Sequence, residues 1–129
     1  MKVVALSFRE FSIINAQRAA KWHHGFPKQD RTDPTYWSGA DWSNAACGEA
    51  GEMANVVKKL RRHETSARGA VDPPPVDLLE KLGDELADVI TYVDLVATFY
   101  GIDLAAAVVR KFNAISEREG LPQRIEVVP

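Results

Sequence analysis

The sequence predicts an all-α protein in which four helices pack in a bundle-like domain. Apolar residues recur at the three-to-four-residue spacing of a helix, and no stretch before the C-terminal tail alternates with the period of a β-strand. Polar residues followed three positions later by an acidic residue mark helix starts, and glycines mark helix ends. A chain of 129 residues can bury one core, so we expect a single domain over residues 1–129.

The predicted helices are bounded by capping residues. The pair Ser7-x-x-Glu10 has the pattern of a capping box and begins the first helix. Asp77 is expected to cap the third helix and Asp103 the fourth. The predicted spans, in chain order, are residues 8–22, 41 or 43 to 62, 78–100 and 104–119, followed by an extended tail over 124–129.

The connections between these helices differ in composition. Residues 23–42 contain glycines and prolines together with four large aromatic residues: Phe26, Tyr36, Trp37 and Trp42. A loop with so many aromatic side chains is typical of a functional loop or a lid. The linker over 63–76 contains three consecutive prolines, which we expect to exclude a helix there.

The bulk composition excludes several classes of function. A content of 46% hydrophobic and 26% charged residues is that of an ordinary soluble globule. The net charge of −2 provides no basic surface for nonspecific binding to nucleic acid. No apolar stretch reaches the roughly 18–20 residues that span a bilayer, and the short apolar start lacks the pattern of a secretory signal. We therefore expect a soluble, cytoplasmic protein without a nucleic-acid or membrane partner.

Cysteine and histidine residues do not indicate a metal site. The lone Cys47 rules out an internal disulfide, and we expect it to be a small core residue. His23, His24 and His63 have no partners at metal-binding spacing and are expected on the surface or at helix ends.

Two acidic pairs at helical spacing are the most informative feature: Glu49-x-x-Glu52 and Glu85-x-x-Asp88. Residues three apart share one face of a helix, so each pair can direct two carboxylates toward one point. Such pairs are also common on solvated faces, because Glu is a good helix former. The second pair, however, adjoins segment 86–100, in which 11 of the 15 residues are apolar, so little solvated surface is expected around it. Burial without a cation would raise the pKa values of these carboxyl groups.

Two glycines, Gly48 and Gly51, lie beside the first acidic pair. A glycine inside a helix costs about 1 kcal/mol relative to alanine, so we expect another backbone or a ligand to approach closely there. Four converging carboxylates would suit a hard divalent cation, and all-oxygen ligation favours Mg²⁺, with Mn²⁺ as the alternative, over Zn²⁺. The residues thus predict a metal site and, with it, phosphate chemistry.

The segments around the acidic pairs resemble one known family. GEAGEMANVVKKL and LGDELADVITYVDLVATFYGIDL, followed by a helix carrying Lys111, Asn113 and Arg118, are similar to MazG-like proteins, which are all-α nucleoside triphosphate pyrophosphohydrolases. The resemblance covers roughly residues 41–122. It implies a dimeric or tetrameric, Mg²⁺-dependent enzyme that hydrolyses (d)NTP to (d)NMP and pyrophosphate.

The resemblance also implies roles for particular residues. By position, the metal-binding and catalytic carboxylates would be Glu49, Glu52, Glu85 and Asp88. The 32 residues between the two pairs exceed the usual spacing of the family, which we attribute to a longer surface linker. Either glutamate of the first pair could be the general base, and the sequence does not separate base from metal ligand.

Other residues are candidates for binding the two ends of a nucleotide. Lys111, Asn113 and Arg118 are expected to contact the outer phosphates, by resemblance and by charge, although a solvated helix face is the alternative for them. The neighbouring lysines Lys58 and Lys59 lie two to three turns beyond Glu49, so either could reach a phosphate, although solvated lysines are the commoner outcome. The base is expected to stack on an indole ring, for which the candidates are Trp42, Trp22 and Trp37; core packing is an equal alternative for each.

Three functions remain open from the sequence. The first is a pyrophosphohydrolase acting on canonical or damaged (d)NTPs. The second keeps the same site but has a narrower substrate, such as dUTP or dCTP. The third is a non-catalytic helical binding module in which the acidic pairs hold a structural cation. In each case we expect a homodimer or homotetramer with the third helix near the interface, since one bundle cannot cover that many apolar positions.

Overall fold

The computed structural model describes residues 4–65 and 72–127, which form four α-helices and no β-strand. The prediction of an all-α chain with four helices is therefore confirmed for this part of the protein. The last two residues of the predicted tail and residues 66–71 of the predicted linker lie outside the described residues. The helices are α1 (Phe8–Ala19), α2 (Gly39–Glu64), α3 (Pro75–Phe99) and α4 (Leu104–Arg118).

Helix α2 begins earlier than predicted because its cap lies further upstream. The Ser38 hydroxyl accepts a hydrogen bond from the Asp41 backbone N–H at 3.3 Å, and the Asp41 carboxylate accepts one from the Ser38 N–H at 2.8 Å. This capping box fixes the start at Gly39, so the predicted start at residue 41 or 43 is wrong. A Cβ at Gly39 would lie 1.9 Å from the Tyr100 hydroxyl oxygen, so any other residue at this position would displace the Tyr100 ring.

Helix α3 also begins earlier than predicted, since its first residue is Pro75. Proline fits the first helical position, where its missing N–H would have no partner and its φ is already helical. Pro74 precedes the helix without a side-chain cap, and Asp77 lies in the first turn, so the predicted cap by Asp77 is wrong. The caps by Ser7 and Asp103 are confirmed, whereas α1 ends at Ala19, three residues before its predicted end.

Helices α2 and α3 form an antiparallel pair that is the main packing unit. Gly39, at the start of α2, adjoins Tyr100, which directly follows α3. At the other end of the pair, the Arg62 guanidinium donates two hydrogen bonds of 2.7 Å to the carboxylate of Asp72, shortly before α3 begins. His63 lies beside this contact, with Nε2 2.7 Å from the Pro73 carbonyl oxygen. The two acidic pairs, near the middle of each helix, are thereby placed opposite each other.

Helix α1 packs against the C-terminal half of α3, and α4 packs mainly against α1. Polar groups fix the first contact: Ser12 donates to Asp94, and the Asn15 amide donates to the Thr91 carbonyl oxygen at 3.0 Å and to Asp94 at 2.9 Å. The axes of α3 and α4 differ by 105°, which turns α4 away from the α2–α3 pair. The result is a helical hairpin with two shorter helices at one end.

The core lies where three parts of the chain meet: α1, the α2–α3 pair, and the loop of residues 20–38 that joins α1 to α2. We call this loop the aromatic loop. The centre of the core is Trp42, which is 1% exposed and packs with Ala19, Phe26 and Leu95. His23 also packs there, with its ring 4.6 Å from the rings of both Trp37 and Trp42. The prediction that His23 is a surface or capping residue is therefore wrong.

Cys47 and several apolar side chains remain exposed in the single chain. The predicted core position of Cys47 is wrong, because its side chain is exposed. Among the described residues no single helix is long and apolar enough to cross a membrane; only α3 and α4 taken together reach that length and composition, across their 105° bend. Four exposed apolar residues follow one face of α3: Leu79, Leu86, Ile90 and Val93.

Candidate functional site

Three of the predicted carboxylates meet between α2 and α3. Glu49 on α2 and Glu85 and Asp88 on α3 each place one carboxylate oxygen within 4.8 Å of the others. Glu85 is only 7% exposed, Glu49 is half-buried and Asp88 is exposed, so the cluster opens to solvent on one side. The spacing of three residues on α3 and the antiparallel pairing with α2 together produce this arrangement. We call these three residues the acidic cluster.

Glu52 lies next to the acidic cluster without belonging to it. Its carboxylate interacts with Glu85, and this contact helps to raise the pKa of Glu85 above its ordinary value, after burial, which is the largest cause. Lys81 opposes the shift, with its Nζ 3.8 Å from a Glu85 oxygen. Four carboxylates therefore lie close together with one nearby lysine.

Glu49 has a raised pKa for related reasons. Burial is again the largest cause, followed by the charges of Asp88, Glu52 and Glu85. Desolvation and like-charge repulsion both penalise the ionised form, and a bound cation would remove both penalties. The donors are all carboxylate oxygens, which is the ligand type that Mg²⁺ and Mn²⁺ prefer, so the residues fit such an ion.

The surroundings of the acidic pairs differ from expectation in two respects. A Cβ at Gly48 or Gly51 would meet nothing within 4 Å in the described chain, so no neighbouring backbone approaches these glycines, and the alternative of a ligand contact stays a prediction. Asp88 is exposed, although its apolar neighbours in sequence predicted little solvated surface there. The reason is that α3 presents Asp88 at the open side of its contact with α2.

An aromatic cavity of about 180 Å³ adjoins the acidic cluster on one side and includes Asp88 in its wall. Two buried polar atoms of its lining have no hydrogen-bond partner: Asn15 Oδ1 and Trp42 Nε1. Trp22, which is 63% exposed, lies on its outer side. The lining residues are Asn15, Arg18, Ala19, Trp22, His23, Trp42, Asp88, Thr91, Tyr92 and Leu95.

A basic cavity, also of about 180 Å³, adjoins the acidic cluster on the opposite side and includes Glu85 in its wall. Its lining residues are Glu52, Asn55, Val56, Lys59, Lys81 and Glu85. Lys59 and Lys81 provide two ammonium groups from different helices. A larger cavity of about 490 Å³ lies between α1 and the start of α4, but it shares no residue with the acidic cluster and is not part of this site.

The structure separates the predicted base-binding and phosphate-binding residues into those near the cluster and those distant from it. Trp42 and Trp22 line the aromatic cavity, whereas Trp37 packs against Trp42 with ring centres 4.8 Å apart. Lys58 is exposed and lines none of the three cavities, whereas its neighbour Lys59 lines the basic cavity.

The three predicted phosphate-binding residues of α4 are not brought to the acidic cluster within one chain. Asn113 exchanges two hydrogen bonds with the backbone of Ile125, of 3.0 and 2.8 Å, and so holds the C-terminal segment. Arg118 pairs with Glu119 at 2.7 Å, and Lys111 is exposed. None of the three lines either cavity beside the acidic cluster.

Several residues of the site were not predicted from the sequence. Lys81 precedes Glu85 by one helical turn, and this i,i+4 spacing is a signal that identifies it. Asn15 and Arg18 line the aromatic cavity from α1, and no motif marks them. Their position depends on how α1 packs on α3, which local patterns do not specify.

Comparison with known proteins finds no matching family model, no matching curated protein and no matching solved structure. An acidic cluster between an aromatic cavity and a basic cavity can accept an elongated ligand that has a ring at one end and an anionic group at the other.

Proposed function

We propose that this protein is a Mg²⁺-dependent nucleoside triphosphate pyrophosphohydrolase that converts (d)NTP to (d)NMP and pyrophosphate, with Mn²⁺ able to replace Mg²⁺. The observation that carries the proposal is the order of three features along one helix pair: aromatic cavity, acidic cluster, basic cavity. The resemblance of residues 41–122 to MazG-like proteins supports the same reaction. A role in the cytoplasmic nucleotide pool follows from that activity.

The spacing of residues along α2 supports one orientation of a nucleotide substrate across these three features. Trp42 precedes Glu49 by two turns and Lys59 follows it by nearly three, which corresponds to about 10 Å and 15 Å along the axis. A nucleotide would thus place its base at Trp42, its α-phosphate at the acidic cluster and its outer phosphates at Lys59 and Lys81.

The reaction requires a water molecule to attack the α-phosphorus and pyrophosphate to leave. A Mg²⁺ ion held by Glu49, Glu85 and Asp88 would supply positive charge to the phosphate oxygens and acidify the attacking water. Glu52 is our choice for the general base, because it adjoins the acidic cluster without being one of its three members. It would accept the proton of the water as the new P–O bond forms and the bond between the α-phosphorus and the bridging oxygen breaks.

The proposal is tested by incubating the protein with each of the eight common NTPs and dNTPs and with Mg²⁺. We expect equal amounts of nucleoside monophosphate and pyrophosphate from at least one substrate. Release of orthophosphate and a nucleoside diphosphate instead would place the attack at the γ-phosphorus and contradict the proposal. If no triphosphate is hydrolysed, the alternative of a non-catalytic binding module with a structural cation replaces it.

Lys59 provides a second test, because its neighbour Lys58 is a matched control. We expect Lys59→Ala to raise KM for the triphosphate about tenfold, since a charge-assisted hydrogen bond to phosphate is lost. Lys58→Ala should change KM less than about twofold, because an exposed lysine outside the cavity contributes little. Steady-state pyrophosphate release measures both values. Equal effects of the two substitutions would show that the basic cavity does not bind the phosphates.

We also propose that the protein is a homo-oligomer, at least a dimer, that buries the exposed face of α3. Leu79, Leu86, Ile90 and Val93 are 41–58% exposed and lie on one side of the helix. A second copy is the occupant we favour, because the related family is dimeric or tetrameric. Lys111 and Arg118 line neither cavity of their own chain, so they could contact phosphates only at the site of a neighbouring chain.

The oligomer is tested by light scattering at micromolar concentration. We expect a mass of at least two chains for the wild-type protein and of one chain for Ile90→Asp. Val127→Asp is the control, because Val127 is 75% exposed and is not a residue of α3. A wild-type mass of one chain would overturn the proposal.

A further inference from the structure

Arg18 provides a positive charge in the wall of the aromatic cavity. It lies on α1 and lines the cavity together with Asp88, which is a member of the acidic cluster. Among the described residues, no carboxylate pairs with the Arg18 guanidinium within 4.0 Å, Asp88 included. The guanidinium is therefore available to an anionic ligand that reaches from the acidic cluster into this cavity.

The position of Arg18 on α1 is fixed by its neighbours. Asn15, one turn earlier, donates to the Thr91 carbonyl oxygen at 3.0 Å, and Ala19, the next residue, is 3% exposed in the core. Thr91 itself lines the aromatic cavity and lies three residues beyond Asp88 on α3. The backbone beside Arg18 is thus held against the part of α3 that carries the acidic cluster, and a ligand needs to order only the arginine side chain.

The other positive charges of the site lie on the opposite side of the acidic cluster. Lys59 and Lys81 line the basic cavity, whereas Arg18 is the one lysine or arginine among the described residues that line the aromatic cavity. With the base in the aromatic cavity and the outer phosphates at the two lysines, the α-phosphate is the anionic group between Arg18 and the acidic cluster. The planar guanidinium has two parallel N–H groups that match two oxygens of a phosphate.

We infer that Arg18 binds the α-phosphate of the nucleotide and keeps this contact in the nucleoside monophosphate product. This inference rests on the proposed function and adds to it a residue that contacts the reacting phosphate. Hydrolysis leaves the non-bridging oxygens of the α-phosphate on the monophosphate, and a phosphate monoester gains further negative charge near neutral pH. Pyrophosphate, in contrast, leaves on the side of the lysines and makes no contact with Arg18.

The first test measures how much the phosphate contributes to binding with and without Arg18. Tryptophan fluorescence in the presence of Mg²⁺ gives Kd for AMP, GMP, CMP and UMP and for the four corresponding nucleosides. Lys21→Ala is the matched control, because Lys21 is exposed, lies three residues beyond Arg18 and lines none of the three cavities. We expect Arg18→Ala to raise Kd of the tightest monophosphate about tenfold or more and Kd of its nucleoside less than about twofold. Lys21→Ala should resemble the wild-type protein in both values.

The outcomes of this test separate the inference from the proposed function. An equal loss of affinity for nucleoside and monophosphate would place Arg18 at the nucleoside, and no loss for either would place it in solvent; both results overturn the inference. A wild-type protein that binds no monophosphate more tightly than its nucleoside also overturns it, even if triphosphates are hydrolysed. If Arg18→Ala has the expected effect and no triphosphate is hydrolysed, the proposed function fails and the α-phosphate contact stands.

Product inhibition of triphosphate hydrolysis provides the second test, with each product added as inhibitor and the release of the other product measured. We expect Arg18→Ala to raise the inhibition constant of the nucleoside monophosphate about tenfold and that of pyrophosphate less than about twofold. Lys59→Ala should have the reverse effect, because Lys59 lines the basic cavity. Arg18→Lys should recover part of the affinity for the monophosphate, since it keeps the charge and loses the paired donors. Inhibition constants of the two products that change together in Arg18→Ala would overturn the inference.

Discussion

The Glu85→Gln variant is expected to lose the proposed pyrophosphohydrolase activity by about 10³-fold, because a neutral amide is a poor ligand for the ion that would stabilise charge at the phosphate. At neutral pH and without divalent cations, the same variant is expected to unfold at a higher temperature than the wild-type protein. Loss of activity together with a gain in stability is the signature of a residue that the fold retains for binding a cation.

The gain in stability follows from the direction of the pKa shifts. The pKa values of Glu85 and Glu49 are raised in the folded protein, so between the ordinary and the raised value the folded state binds more protons than the unfolded state. The free energy of unfolding therefore falls as the pH rises through this range. At neutral pH the ionised Glu85 opposes folding, and the glutamine does not.

Thermal unfolding scans at acidic and neutral pH, with and without Mg²⁺, measure this effect. We expect Mg²⁺ to raise the midpoint of the wild-type protein at neutral pH and to leave that of Glu85→Gln nearly unchanged. Glu80→Gln is the control, because Glu80 is an exposed residue of α3 outside the site, and it should retain activity and the response to Mg²⁺. A Glu85→Gln variant with full activity, or with a lower midpoint than the wild type, would contradict the assignment.

The second large effect is expected from Trp42→Ala, which should reduce the free energy of unfolding by about 3–5 kcal/mol. Trp42 is 1% exposed at the centre of the core, and its ring packs against His23, Phe26 and Trp37. Removal of the indole leaves a cavity among these rings. A loss of this size is a large part of the stability of an ordinary domain.

Urea unfolding of Trp42→Ala and of Trp22→Ala measures this contribution. Trp22 lines the same aromatic cavity but is 63% exposed, so its replacement should cost less than about 1 kcal/mol. Trp22→Ala therefore separates an effect on ligand binding from an effect on the fold. If both variants lose the same stability, the core is not organised around Trp42.

Local patterns predicted the helices and the acidic pairs well, because both depend on residues close in sequence. The caps Ser7 and Asp103 and the carboxylates of the two pairs lie within one or two helical turns of the signals that identify them. The start of α2 was misplaced because the capping box Ser38-x-x-Asp41 lies among the aromatic residues of the preceding loop, where no helix was expected.

The remaining parts of the site depend on contacts between distant residues. Asn15 reaches the aromatic cavity only because α1 packs on α3 through Asp94, a contact across 79 positions of the chain. The exposure of Cys47 and the packing of His23 against Trp37 and Trp42 depend in the same way on contacts between distant residues. Composition alone favours the opposite outcome for each, since cysteine is commonly buried and histidine commonly lies nearer the surface.

The ion pair between Arg62 and Asp72 makes the connection between α2 and α3 a suitable place for insertions. Its two hydrogen bonds of 2.7 Å join the chain on both sides of that connection, and the acidic pairs lie further along each helix. Additional residues placed between the two partners would lengthen a closed loop at small entropic cost and leave the helix register unchanged. A fluorescent label or an affinity tag inserted there should therefore leave the arrangement of the acidic cluster unchanged.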